Sequence, residues 1–343
     1  MASIPSSPRT RRFTATIRND RPRLDQSGRI LDAHEPCLRF FEGRFWYYGT
    51  RFGELNGFTD EHRFTVYSSP DLEEWTDHGL ITPKLPGRLH ANVDVIYNAR
   101  TGKYVLWGTG RGYFIFTSDK PDGPFELAVE AADGRYPGKS GDFSIFVDDD
   151  GTAYRIGGAG FKEEKPPRMH CIYVERLTED YLAGSGETSA ILAENCEGPG
   201  LFKRSGVWYA LFDNTCCFCP AGSGARVYTA ADPLGPYTYR GNINRKEPAD
   251  PRAIESVDHD TEPGAGRSDV IIPAQQRRIA ILPTPDGPAH IWVGDRWESA
   301  DDGIKGHDYT YWSSPLVFEE DGMIRKLRWE DSWEIEIEVP TGD

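Results

Sequence analysis

No stretch of this 343-residue chain is both long and apolar enough to span a bilayer as a helix, so no membrane partner is expected. Positive charge is also short: 39 Lys and Arg face 54 Asp and Glu, a net charge of −15. A surface that tracks phosphates needs the opposite balance, so nucleic acid is not an expected partner either. The acidity reads as a soluble surface and is compatible with a neutral, hydroxyl-rich ligand. Helix signals are scarce. The 36 Gly and 25 Pro favour turns over long helices, and residues 175–183 offer one helical turn at most. The six cysteines, Cys37, Cys171, Cys196, Cys216, Cys217 and Cys219, have no second His or Cys pair at zinc spacing. They read as reduced thiols near a core or pocket. The acidic run Asp148-Asp149-Asp150 lacks the spacing of an EF-hand and precedes Gly151, which makes it a solvated hairpin turn. No metal site is assigned. Residues 1–23 carry Arg9, Arg11 and Arg12 with no apolar run behind them, so they are not a secretory signal.

What is present is aromatic and repetitive. The chain holds 9 Trp, 16 Tyr and 17 Phe. One short phrase, a turn glycine followed by an aromatic-rich run, recurs five times, from Gly43, Gly102, Gly151, Gly206 and Gly287. Gly43-Arg44-Phe45-Trp46-Tyr47-Tyr48 and Gly206-Val207-Trp208-Tyr209-Ala210-Leu211 are examples. Repetition with drift marks a modular architecture, and each copy reads as a hairpin turn plus a strand. The intervals are 102 − 43 = 59, 151 − 102 = 49, 206 − 151 = 55 and 287 − 206 = 81 residues. A four-stranded blade needs roughly 40–50 residues, so five copies predict an all-β, five-bladed β-propeller. The long interval holds the polar, Pro- and Gly-rich residues 244–269, predicted as a surface loop. Residues 1–29 are expected to form an N-terminal extension joining the propeller, and 30–340 a single propeller domain.

A second echo links the blades: Ser68-Ser69-Pro70-Asp71-Leu72-Glu73-Glu74-Trp75, then Pro121-Asp122-Gly123-Pro124-Phe125, then Asp232-Pro233-Leu234-Gly235-Pro236-Tyr237. Each is a strand entering an Asp/Pro turn that ends on an aromatic plug. These phrases resemble the five-bladed glycoside hydrolases of family 43. So do Ser140-Gly141-Asp142-Phe143-Ser144-Ile145-Phe146 and Glu197-Gly198-Pro199-Gly200-Leu201-Phe202-Lys203-Arg204. Trp292-Val293-Gly294-Asp295-Arg296-Trp297 and Tyr311-Trp312-Ser313-Ser314-Pro315-Leu316 look most like the exo-β-1,3-galactanase branch. The resemblance covers roughly residues 30–337.

That likeness implies inverting hydrolysis of a glycosidic bond. Such chemistry uses a protonated carboxyl for the leaving oxygen and a base for water, about 6.5–9.5 Å apart. A third carboxylate near the acid raises its pKa by like-charge repulsion. The frame around Glu197 matches the family's acid motif, with Glu194 as the nearby decoy. The family match places the tuning carboxylate at Asp142. For the base, most of the family has Asp-Pro eight residues before the first hairpin glycine, and here Glu35-Pro36 stands there. The galactanase branch instead has Ala-His-Gly at this point and a last-blade glutamine thought to help position water. This chain has Ala33-His34-Glu35, and Gln275-Gln276 opens the fifth-blade strand. Glu35 ranks ahead of Gln275 because a carboxylate is a competent base and an amide a poor one; Asp32 is a third option.

His34, Gln275, Trp46 and Trp312 are the expected substrate contacts, with Tyr113 and Phe218 as further rings for the pocket, since sugars stack their C–H faces on aromatics. Arg296 is expected to be an ion-paired core residue. The best expectation is an inverting, exo-acting enzyme that releases terminal sugars from plant-type polysaccharide fragments, exo-β-1,3-galactanase-like. The alternatives are an α-L-arabinofuranosidase or β-xylosidase of the same family, or a non-catalytic carbohydrate-binding propeller. No cofactor is required, and the resemblance implies a structural calcium near the axis. The missing signal and reduced thiols point to the cytoplasm, whereas polymer degradation usually calls for secretion.

Overall fold

Each repeated phrase is the second strand of an antiparallel blade. The computed structural model describes residues 9–87, 89–110, 112–130, 140–161, 164–165, 168–215, 218–246 and 269–341. Blade 1 runs His34–Phe41, Arg44–Arg51, Arg63–Ser69 and Thr76–Leu80, in that spatial order. Blades 2, 3 and 4 repeat the plan from Ala91–Asn98, Phe143–Val147 and Cys196–Arg204. The fifth sheet has three strands, Gln275–Thr284, Gly287–Arg296 and Tyr309–Trp312. The first strands of all five blades touch one another in a closed circle, the fifth meeting the first, so they line the axis of a five-bladed propeller. The glycine that opens each repeated phrase sits between first and second strands with positive φ, from 67° at Gly102 to 104° at Gly287. A side chain there would meet nothing within 4 Å at Gly43, Gly102, Gly206 or Gly287 and only the Tyr181 hydroxyl, at 4.0 Å, at Gly151, so backbone conformation rather than space selects glycine.

The two ends of the described chain pair with each other. Thr10–Arg18 lies antiparallel to Ser332–Pro340, in register from Thr10↔Pro340 to Arg18↔Ser332. One face of this ribbon, through Ala15, Ile17, Ile335, Ile337 and Val339, packs on Tyr47 and Trp75 of blade 1 and on Leu282 and Ile291 of blade 5. It closes the ring where the first and last blades meet.

The remaining core is a series of apolar layers between neighbouring blades. The predicted plugs sit in them: Trp75 and Phe125 are both 1% exposed. At roughly 1.5–3 kcal/mol for a fully buried Phe-sized side chain, these rings hold one blade against the next. Asp148-Asp149-Asp150-Gly151 forms the predicted turn, with the Gly151 N–H donating to the Asp148 carbonyl. The helical turn allowed at 175–183 does not form; Glu175 lies in the strand Arg168–Leu177. Among the described residues the only helical element is the 3-10 turn Lys305–His307, and none is long and apolar enough to cross a membrane. Residues 247–268 of the predicted surface loop lie outside the described residues.

Cys37, Cys171 and Cys196 are buried and outside any disulfide, matching the reduced-thiol expectation. Cys219 departs from it, being disulfide-bonded. Cys216 and Cys217 lie outside the described residues.

Candidate active site

The first strands carry β-bulges where they meet one end of the axis. Register slips occur between His34 and Cys37, Ala91 and Val93, Glu197 and Gly200, and Gln276 and Arg278. A bulge adds a residue to one strand and re-aims its side chains. Glu35 and Asn92 accordingly have left-handed backbones, with φ of 53° and 47°, and so does His170 in the third strand of blade 3, φ 47°, beside the slip between Ala159 and Phe161. These conformations are uncommon outside glycine and cluster at functional sites. At the same end lies a pocket of about 380 Å3, lined by Glu35, Phe58, Leu89, Ala91, Asp142, His170, Glu197, Phe218, Gln275 and Arg277.

Arg277 ties the pocket floor together. Its Nη1 donates to Asp142 Oδ2 at 2.7 Å, its Nε to Asp295 Oδ2 at 2.7 Å and its Nη2 to Gln275 Oε1 at 2.8 Å. Nη2 also lies 3.7 Å from Glu35 Oε1. Glu35 is 2% exposed. Its Oε2 accepts from Thr50 Oγ1 at 3.0 Å and from the Asn92 N–H at 2.6 Å, while its own N–H donates to Asp295. Burial drives the Glu35 carboxyl up from the usual carboxylate range to about 7; Arg277 opposes the rise, and the charges of Asp142 and Asp295 add to it.

Glu197 and Asp142 meet through the backbone. The Gly198 N–H donates to Asp142 Oδ2 at 3.1 Å. Glycine is required at 198 on two counts: φ is 60°, and a Cβ there would lie 1.8 Å from the Gln276 carbonyl oxygen. Glu197 itself receives the amide of Gln275, Nε2 to Oε2 at 3.3 Å, and its Oε1 lies 3.3 Å from His170 Nδ1. The orientation of Gln275 follows from its partners. Its oxygen accepts from both Arg277 and Trp297 Nε1 at 2.8 Å, so its two lone pairs are occupied and its NH2 points at Glu197.

Glu35, Asp142, Glu197, Gln275 and Phe218 therefore line one pocket, and four expected contacts, His34, Trp312, Trp46 and Tyr113, do not. His34 is 1% exposed, stacked on Trp297 with centroids 5.3 Å apart and 3.5 Å from Asp32. It supports Trp297, which in turn holds Gln275. Trp312 is fully buried between blades, its Nε1 donating to Thr310 Oγ1. Trp46 is 5% exposed in the layer between blades 1 and 2, its Nε1 donating to the Phe41 carbonyl. The inter-blade layers take Trp312 and Trp46, and the aromatic rings that line the pocket are Phe58 and Phe218. Tyr113 is likewise buried, over Arg155. Asp32 accepts the N–H groups of Phe52 and Gly53 and does not line the pocket. Glu194 turns away toward Arg168. Arg296 stacks on Tyr309 and Trp329 rather than forming the expected ion pair.

Arg277, Asp295, His170 and Phe58 were not anticipated. For Arg277 a signal existed: it stands two residues from Gln275, and residues two apart on a strand share a face.

A calcium ion does not fit the described axial residues. No group of three or more His, Cys, Asp or Glu among them is placed to hold a metal. The axial carboxylates are instead paired with arginines, Asp142 with Arg277 and Asp94 with Arg39 and Arg278.

A five-bladed ring that gathers carboxylates from three blades in one pocket has the layout of a sugar-cleaving propeller. The chain belongs to glycosyl hydrolases family 43, whose model matches residues 55–262, more than half of its length. It is 30% identical over 231 residues to a β-D-galactofuranosidase of Aspergillus niger, covering 60% of this chain and 62% of that one. It is 28% identical over 283 residues to an arabinoxylan arabinofuranohydrolase of Bacillus subtilis, covering 67% and 54%. The chain thus spans less than two thirds of the length of these relatives. In fold it is similar to a family 43 β-1,3-galactosidase solved with galactodeoxynojirimycin (TM-score 0.72, 22% identity, 92% of this chain and 99% of that one). It is also similar to an exo-β-1,3-galactanase from Clostridium thermocellum (TM-score 0.73, 23% identity, 92% and 66%).

Proposed function

We propose that this chain is an inverting glycoside hydrolase that removes single terminal sugars, with Glu197 as the acid, Asp142 as its tuner and Glu35 as the base. The observation that carries the reading is the convergence of these three carboxylates, from blades 4, 3 and 1, on one pocket floor organised by Arg277. A chain of contacts through Arg277 and Gln275 links Glu35 to Glu197 along the pocket that both carboxylates line.

In the reaction, Glu35 Oε1 takes a proton from water while the water oxygen attacks the anomeric carbon. Oε2 is already engaged by Thr50 and Asn92, so Oε1 is the oxygen left for this. A carboxyl held near pH 7 is well matched to a base working at neutral pH. Glu197 gives its proton to the leaving oxygen as the glycosidic C–O bond breaks. Asp142, held in place by Arg277 and the Gly198 N–H, keeps negative charge beside the acid and so favours its protonated form. Gln275 is not the water acceptor, because its oxygen is filled; it donates to the acid. The pocket, about 380 Å3, is at the small end of ligand sites at roughly 300–1,000 Å3, which suits exo action. Phe58 and Phe218, with centroids 4.9 Å apart, give it an apolar wall for a sugar's C–H face.

The preferred substrate class is a β-1,3-linked galactan, supported by likeness in fold, over more than nine tenths of this chain, to proteins named for that linkage. A furanoside substrate is the second reading, favoured by Glu35-Pro36 at the family's usual base position and by relatives named as furanoside hydrolases. Chromatography of products from β-1,3-galactobiose, arabinoxylan fragments and nitrophenyl arabinofuranoside, xyloside and galactofuranoside decides between them. Galactose from the galactobiose, made by wild type and not by Glu197→Gln, supports the first. No galactose with arabinose or galactofuranose released supports the second, and a flat panel removes both.

A further inference from the structure

We propose that His170 is a proton relay that recharges Glu197 between turnovers, an inference that rests on Glu197 being the acid. Each inverting cycle leaves a proton on the base and takes one from the acid. A chain of contacts from Glu35 to Glu197 runs through Arg277 and Gln275. A guanidinium does not release its proton in a protein and an amide does not ionise, so that chain does not carry the proton back and recharging draws on solvent.

His170 is built for that. It lies in the strand Arg168–Leu177 beside the register slip between Ala159 and Phe161, and its left-handed backbone, φ 47°, brings its ring into the pocket lining. Its Nδ1 is 3.3 Å from Glu197 Oε1, and its side chain is 35% exposed where that of Glu197 is 12% exposed. It thus faces the acid on one side and solvent on the other. Gln275 donates to Oε2, so the transferable proton of Glu197 belongs on Oε1, the oxygen beside His170. Of the neighbouring charges, Arg168 is directed toward Glu164 and Glu194, and Asp142 is paired with Arg277 while it accepts the Gly198 N–H beside the acid.

The step is a proton transfer with no change of oxidation state. After the leaving group departs, imidazolium His170 gives its Nδ1 proton to the Glu197 carboxylate; the N–H bond breaks and an O–H bond forms at Oε1. The neutral Nε2–H ring, 35% exposed, then turns its Nδ1 out to solvent and takes a proton there from water or a buffer acid.

The test uses His170→Gly, which tolerates the left-handed backbone and leaves a cavity for imidazole, and His170→Asn, which also tolerates that backbone but cannot carry the proton. Kinetics are measured on β-1,3-galactobiose, or on the nitrophenyl glycoside the wild type hydrolyses. Recharging follows bond cleavage, so kcat is expected to fall roughly tenfold or more in both variants while kcat/KM falls far less. Added imidazole is expected to restore kcat in the glycine variant. An unchanged kcat in either variant overturns the relay, as does an equal loss of kcat and kcat/KM with no response to imidazole. A wild type that releases no sugar from any substrate overturns the hydrolase reading and the relay with it. That result is distinct from an active wild type with unresponsive variants.

Discussion

Gln275 Nε2 donates to Glu197 Oε2 across 3.3 Å, and this one contact makes the fifth-blade glutamine a servant of the acid. Its oxygen is held by Arg277 and Trp297, so it has no acceptor left for the proton of a nucleophilic water. Glu35 and Gln275 are therefore expected to fail differently. Glu35→Gln removes the base and is expected to lower kcat about 10²–10⁴-fold. Gln275→Ala removes one neutral donor and is expected to cost about tenfold, in line with the smaller worth of a single hydrogen bond. Steady-state kinetics of the two variants measure this. A Gln275 variant more damaged than the Glu35 variant would mean the amide serves the water after all.

Asp142→Asn removes a negative charge beside Glu197. The acid then loses its proton more easily, so the basic limb of the kcat/KM profile is expected to move to lower pH. A limb that stays in place would remove Asp142 from the tuning role.

Burial of Glu35 also leaves a mark on stability. The carboxyl titrates near 4.5 when exposed and about 7 in the fold. Between these values the folded chain holds a proton that the unfolded chain has lost. The sign follows: this contribution is complete below pH 4.5, declines as pH rises, and is gone above pH 7. Its size is a few kcal/mol at most, at about 1.4 kcal/mol per pKa unit. Urea unfolding at pH 5 and pH 8 is expected to show a smaller drop for Glu35→Gln than for wild type. Equal drops would place the pH dependence elsewhere.

Gly198→Ala is expected to cost both stability and turnover. The new methyl would lie 1.8 Å from the Gln276 carbonyl oxygen, and the N–H that Asp142 accepts would shift with it. A destabilisation of about 2 kcal/mol or more is expected from such overpacking at a left-handed residue, read as a lowered Tm. A variant with wild-type Tm and activity would show that blades 4 and 5 do not meet as closely as described.

The ring was legible because its second strands repeat. Turn glycine and aromatic run recur at an interval that suits a blade, and Trp75 and Phe125 could be placed as plugs before any coordinates. Glu35, Asp142 and Glu197 were legible because each sits in a recognisable frame at a strand entrance. Arg277 was overlooked although it shares a strand face with Gln275. His170 left no comparable trace, since a bulge and a left-handed residue aim it, and neither has a signature in Arg168-Met169-His170-Cys171. Trp46 and Trp312 were misplaced for a different reason. Composition reports how many rings a chain owns, but blade packing takes most of them, and only the fold shows which are left over.

Single-displacement hydrolysis is tested most directly by proton NMR of the first galactose released from the methyl glycoside of β-1,3-galactobiose, whose blocked reducing end yields no second free sugar, recorded before mutarotation. Water activated by Glu35 attacks the face opposite the leaving group, so α-galactose is expected to appear first. First-formed β-galactose would contradict it, because retention needs a covalent intermediate in place of a base-activated water.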